Sequence, residues 1–101
     1  MDFSIEWPDD FANYEWEVTA KGWFTLTVIV SDRRYCLNVY DPARLGQEIQ
    51  SDFKRGKPFF EPNLVVVESV TRAAIEQAVQ ELVRSDRAAD LIEESTESKA
   101  R

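Results

Sequence analysis

The stretch from Tyr35 to Val83 constrains the fold more than any other part of the chain. An apolar strand through Tyr35, Leu37 and Val39 runs into Asp41-Pro42, where a helix can begin. Asp41 can accept the orphan N–H groups of a first turn, and Pro42 at the first helical position loses nothing by lacking its own. Leu45, Ile49 and Phe53 then recur at i, i+4 and i+8 as a narrow apolar stripe, and Gly56 followed by Lys57-Pro58 stops the helix. After a loop holding Phe59, Phe60 and Pro62 comes Leu64-Val65-Val66-Val67, apolar on both alternating sets, which predicts a central strand or one covered on both faces. Thr71 caps a second helix, with Val70 and Ile75 at the positions of a hydrophobic staple. Its buried stripe is Ala74, Ile75, Ala78, Val79, Leu82 and Val83, and Ser85-Asp86 either breaks it or caps a short continuation through Leu91 and Ile92.

Upstream, three alternations read as strands: Phe3, Ile5 and Trp7, ended by Pro8; Tyr14, Trp16, Val18 and Ala20; and Phe24, Leu26, Val28 and Val30. A three-residue turn, Lys21-Gly22-Trp23, pairs Ala20 with Phe24, Val18 with Leu26 and Trp16 with Val28. A two-residue turn at Asp32-Arg33 pairs Val30 with Tyr35, Val28 with Leu37 and Leu26 with Val39, so one apolar face continues across the strands. The opposite face carries Trp23, Thr25, Thr27, Ile29, Cys36, Asn38 and Tyr40 beside Glu15 and Glu17, a mixed surface open to water or to a partner. The expected fold is α+β. It has a mostly antiparallel sheet of four to five strands, near 2–7, 14–20, 24–31, 34–40 and 64–68, with two helices near 42–55 and 71–85 packed on one face. A chain of 101 residues predicts one domain, over 1–93, followed by a polar tail, 94–101, without an apolar anchor.

Charge is more informative by position than by total. The net charge is −7, and residues 1–20 hold Asp2, Glu6, Asp9, Asp10, Glu15 and Glu17, while all twelve Lys and Arg residues lie beyond them. Such a segment repels nucleic-acid phosphate and favours a basic protein surface, chiefly through encounter rate. Aromatic side chains stand among these carboxylates, as in an interface that meets basic residues. The candidate partner-binding residues are therefore Trp7, Asp9, Asp10, Phe11, Glu15, Glu17 and Trp23, with Tyr14, Trp16 and Trp7 also at core-facing positions of the expected strands.

Chemistry has little foothold. Histidine is absent, which removes the commonest general base and neutral metal ligand, and the single Cys36 can build neither a disulfide nor a thiolate cluster within the chain. Glycines at 22, 46 and 56 are too scattered for a phosphate-cradling loop. No catalytic, cofactor or metal site is expected, no apolar run reaches the roughly 20 residues that span a bilayer, and the lone cysteine without a leader pattern points to the cytoplasm.

The run Leu37-Asn38-Val39-Tyr40-Asp41-Pro42, Leu45 at the start of the following helix, the Leu-Val-Val strand at 64–66 and Ile75-Glu76-Gln77-Ala78-Val79 in the last helix resemble the immunity proteins of bacterial polymorphic toxin systems, specifically the immunity protein family numbered eight. That resemblance covers about residues 35–83. It implies a non-enzymatic cytoplasmic protein that binds and neutralises a partner toxin. A second reading, of another class, is a structural or assembly subunit that homodimerises through the back of the sheet, with Trp23, Ile29, Cys36 and Tyr40 inside the interface.

Overall fold

Residues 2–94 are described by a computed structural model of the chain. At its centre is a hairpin of β2 (Trp23–Val30) and β3 (Arg33–Tyr40), closed by Ser31 and Asp32 with φ of 52° and 67°. Two consecutive left-handed residues make the turn whose twist matches antiparallel strands. Val28 therefore lies opposite Tyr35, Leu26 opposite Leu37 and Phe24 opposite Val39. The register differs by two residues from the one expected for a turn at Asp32-Arg33, because Ser31 and Asp32 take the two loop positions and Arg33 is already paired with Val30. A shift of two preserves facing, so Leu26, Val28, Val30, Tyr35, Leu37 and Val39 share one buried face as the alternation predicts.

On the other side of β2, β1 (Phe3–Glu6) pairs antiparallel, with Phe3 opposite Val30 and Ile5 opposite Val28. Beside β3, β4 (Leu64–Val66) pairs in parallel, giving a four-stranded mixed sheet in the order β1-β2-β3-β4. The chain is thus α+β.

The segment expected as a strand at 14–20 is a helix, α1 (Phe11–Lys21). Phe11, Tyr14 and Val18 fall at i, i+3 and i+7, and Phe11 and Val18 are buried in the core. Gly22, at φ 75°, ends the helix by donating its N–H to the carbonyl of Val18, and β2 follows at once. The three-residue turn at Lys21-Gly22-Trp23 does not form. β1 occupies the edge of β2 that the expected strand would have needed, and the apolar stripe is buried by lying across the sheet instead.

The second helix, α2 (Pro42–Lys54), and the third, α3 (Arg72–Arg84), begin as the sequence predicts. Asp41 accepts the N–H of Arg44 at 2.7 Å and Thr71 that of Ala74 at 3.1 Å. The two helices do not share a face. α3 places Ile75, Val79 and Val83 in the core with α1, whereas no residue of α2 joins that cluster. Arg44 of α2 instead lies over Trp23, on the opposite face, and beside Tyr40. α1 and α3 already cover the core face, so the weaker stripe of α2, with Leu45 and Ile49 half-buried and Phe53 exposed, covers only one corner of the back.

β4 is an edge strand and not a central one. Val65 turns to the core, while Leu64 and Val66 are 38% and 46% exposed. After α3 a short 3₁₀ turn (Arg87–Asp90) leads Ile92–Glu94 alongside the part of β3 that β4 does not reach. Glu93 bridges Tyr35, the Glu94 N–H donates to the Arg34 carbonyl at 2.8 Å, and the Asn63 amide bonds both the N–H and the C=O of Ile92. Of the expected tail, 94–101, only Glu94 falls within the described residues, and 95–101 lie outside them.

Candidate protein-interaction surface

Helix α1 divides the acidic segment by function. The loop before it turns through Pro8, whose carbonyl accepts the Phe11 N–H at 3.1 Å, and through Asp10, whose carbonyl accepts that of Asn13 at 2.9 Å. Among the described residues the Asp10 side chain makes no capping bond, and Asp9 and Asp10 both present exposed carboxylates beside the positive end of the helix. Glu15 turns inward. Its Oε2 accepts the backbone N–H of Arg72 at 2.8 Å, satisfying an orphan donor in the first turn of α3. Glu17 faces water.

The aromatic candidates separate in the same way. Phe11 is 1% exposed and stacks near Trp7, with centroids 4.8 Å apart, and near Phe24 at 5.1 Å, so it belongs to the scaffold. Trp7 is half-buried, and the guanidinium of Arg72 stands 4.9 Å from its ring, a cation–π contact that pins α3 to the end of β1. Trp23 is 38% exposed but lies on the other face of the sheet, with Arg44 5.9 Å away. The fold does not bring Trp23 to α1.

It brings Trp16 there instead. Ala12, Asn13, Trp16, Glu17 and Ala20 form the outward face of α1, and Trp16 is 69% exposed at its middle. Alanines one turn before and after leave both sides of the indole open. A strand period puts Trp16 on the core-facing side with Tyr14 and Val18. A helical period from Phe11 leaves it off that stripe, and the choice of period was the signal that separated the two.

The back of the sheet is tied by polar contacts. Glu6 and Arg34 form two hydrogen bonds of 2.9 Å across β2. The hydrogen bond to Arg34 holds the Glu6 carboxyl below its ordinary range, and the same bond raises the Arg34 guanidinium. Thr25 donates to the Asn38 amide oxygen at 3.1 Å, and the Asn38 nitrogen donates to the Pro62 carbonyl at 2.9 Å. Tyr40, one of the residues expected in a dimer interface on this face, is 5% exposed and already covered. Burial, with the charge of Glu94 added, pushes the Cys36 thiol up, which keeps it protonated and a poor nucleophile. Among the described residues no three Asp, Glu, His or Cys side chains converge as a metal would require, and no helix is long and apolar enough to cross a membrane.

No protein-family model, curated protein or solved structure matches the chain.

Proposed function

We propose that the chain is a non-enzymatic protein-binding module, an immunity protein that neutralises a cognate bacterial toxin by covering a basic surface of it with helix α1. The observation that carries this reading is Trp16, 69% exposed on a helix flanked by the exposed carboxylates of Asp9, Asp10 and Glu17. Exposing a tryptophan gains a monomer nothing, whereas interfaces draw much of their energy from a few aromatic anchors. Acidic neighbours speed the encounter with a basic partner and fix its orientation. The resemblance of residues 35–83 to the immunity family supports the toxin as that partner, and a protein with this role acts in the cytoplasm.

The test is titration of the chain with the product of the adjacent open reading frame. A one-to-one complex is expected, with Trp16→Ala weakening it by at least about tenfold and added salt slowing association. The same substitution is expected to leave folding stability within about 0.5 kcal/mol, since the residue is on the surface. An adjacent frame without a toxin domain, whose product does not bind, would sink the reading.

A further inference from the structure

We infer that residues 92–94 form a releasable strap, latched to the edge of β3 by ion pairs and by the Asn63 amide, which opens while the sheet and helices stay folded. β4 pairs with β3 only at 38–40, so the edge of β3 before Asn38 is left to another segment. Asn38 donates its N–H to the Asn63 carbonyl, which marks the even-numbered residues of β3 as those whose backbone groups face this edge. The strap covers the next two, Arg34 and Cys36. The Arg34 carbonyl accepts the Glu94 N–H at 2.8 Å, and Glu93 bridges Tyr35. Asn63 does the rest with one side chain. Its Nδ2 donates to the carbonyls of Cys36 and Ile92, both at 2.9 Å, and its Oδ1 accepts the Ile92 N–H at 2.8 Å. A carboxamide thus stands where the peptide unit of a neighbouring strand would.

The remaining fastenings lie at the surface. Arg33 meets Glu93 at 3.4 Å and Arg34 meets Glu94 at 3.5 Å, between side chains that water reaches. Arg34 is shared: both of its terminal nitrogens go to Glu6 of β1 at 2.9 Å, so Glu94 meets only the Nε side. The Oε1 of Glu94 is left buried without a hydrogen bond among the described residues, a penalty of the closed strap that hydration removes on opening. Ile92 is 65% exposed, and the nearest residue packed on the core is Leu91, about which the strap can pivot. Exposed ion pairs, solvent-facing hydrogen bonds and little apolar burial mark the part of a fold that opens first. Opening has a chemical consequence at Cys36. Burial and then the charge of Glu94 raise its thiol, so withdrawing Glu94 makes the sulfur a better nucleophile.

Amide hydrogen exchange on the full chain, resolved by residue, tests this alongside the rate at which iodoacetamide alkylates Cys36, the single cysteine. No toxin enters the experiment, so its outcome is separate from that of the proposed function. Raising salt from about 50 mM to about 1 M should speed exchange at Ile92 and Glu94, and alkylation of Cys36, at least about threefold, while the amides of Val28 and Val79 keep their protection. Arg33→Glu at low salt should act in the same direction, and adding Glu93→Arg should reverse it. Asn63→Asp keeps an acceptor for the Ile92 N–H but loses both donated bonds, and should speed strap exchange about tenfold. Exchange at Ile92 and Glu94 that proceeds only with the core amides overturns the inference, as does exchange indifferent to salt and to Arg33→Glu. A double variant no slower than Arg33→Glu alone overturns the charge latch. Faster strap exchange with unchanged alkylation overturns the link to Cys36.

Discussion

Gly22 is held by two demands at once. Its φ of 75° ends α1, and a Cβ built on it would lie 2.6 Å from the Asp41 carboxylate, which caps α2. The Asp41 N–H also donates to the Gly22 carbonyl at 2.9 Å. Gly22→Ala should cost about 1 kcal/mol for the left-handed backbone and about 1 kcal/mol more for displacing the cap. Gly56 provides the control, with φ 74° but open space around it, so Gly56→Ala should show only the first loss, about 1 kcal/mol. Urea unfolding of both variants checks this, and equal losses would contradict the cap-to-turn contact. Glu61 offers a second residue-scale outcome. Burial pushes its carboxyl up, the hydrogen bond from Tyr40 pulls it partly back, and the charges of Glu48 and Asp52 push it further. A raised folded value means that ionising Glu61 costs stability above that value. The cost fades as pH falls through it and is absent below the ordinary glutamate range. Glu61→Gln should therefore stabilise the protein at neutral pH, with the advantage gone by about pH 4. An advantage that persists in acid would point to packing and not to charge.

At the scale of elements, α1 and α3 are joined by polar bonds as well as by the core. Thr19 donates to the Val70 carbonyl at 2.6 Å, and Glu15 accepts from the first turn of α3. Glu15→Ala should cost about 1 kcal/mol, the typical cost of an uncapped donor, while Glu17→Ala should stay within about 0.5 kcal/mol. Thermal or urea denaturation separates the two, and equal effects would mean that the acidic segment acts as one charged surface. Asn63 joins β3, β4 and the C-terminal segment in a similar way. At φ 51° it sits where asparagine is tolerated, and its amide reaches Cys36 and Ile92. α2 and α3 were legible because their caps and stripes are local, and Asp41 and Thr71 cap as their positions predict. The facing of β2 and β3 was legible for the same reason, even with the turn misplaced, since a slip of two residues moves no side chain through the sheet.

Over the whole molecule, Trp16 and the edge of β4 are exposed in different electrostatic settings. Trp16 shares α1 with Glu17 and the helix follows the exposed Asp9 and Asp10, whereas the exposed Leu64 and Val66 stand on an uncharged edge three strands from β1. The acidic surface suits a basic partner, and the apolar edge of β4 stands apart from it. Of the candidate binding residues, Asp9 and Asp10 remain exposed just before α1 and Glu17 on it. Phe11, Trp7 and Glu15 are engaged in holding α1 and α3 in place, and Trp23 lies across the sheet. A list drawn from nearness in sequence could not make that division, because a helix turns neighbours away from each other within one turn.

Local sequence determined what local chemistry can enforce: where α2 and α3 start, which residues of β2 and β3 face inward, and that the chain combines helices with a sheet. Tertiary structure alone decided the rest. Residues 11–21 satisfy both periods, through Phe11, Tyr14 and Val18 or through Tyr14, Trp16, Val18 and Ala20, and the pairing of β1 with β2 settled the choice for the helix. Leu64–Val67 is apolar on both sides, but apolarity states what could be covered and not what is, and the strand order left β4 at an edge. Periodicity sorts side chains onto faces, while long-range pairing determines which face another element buries.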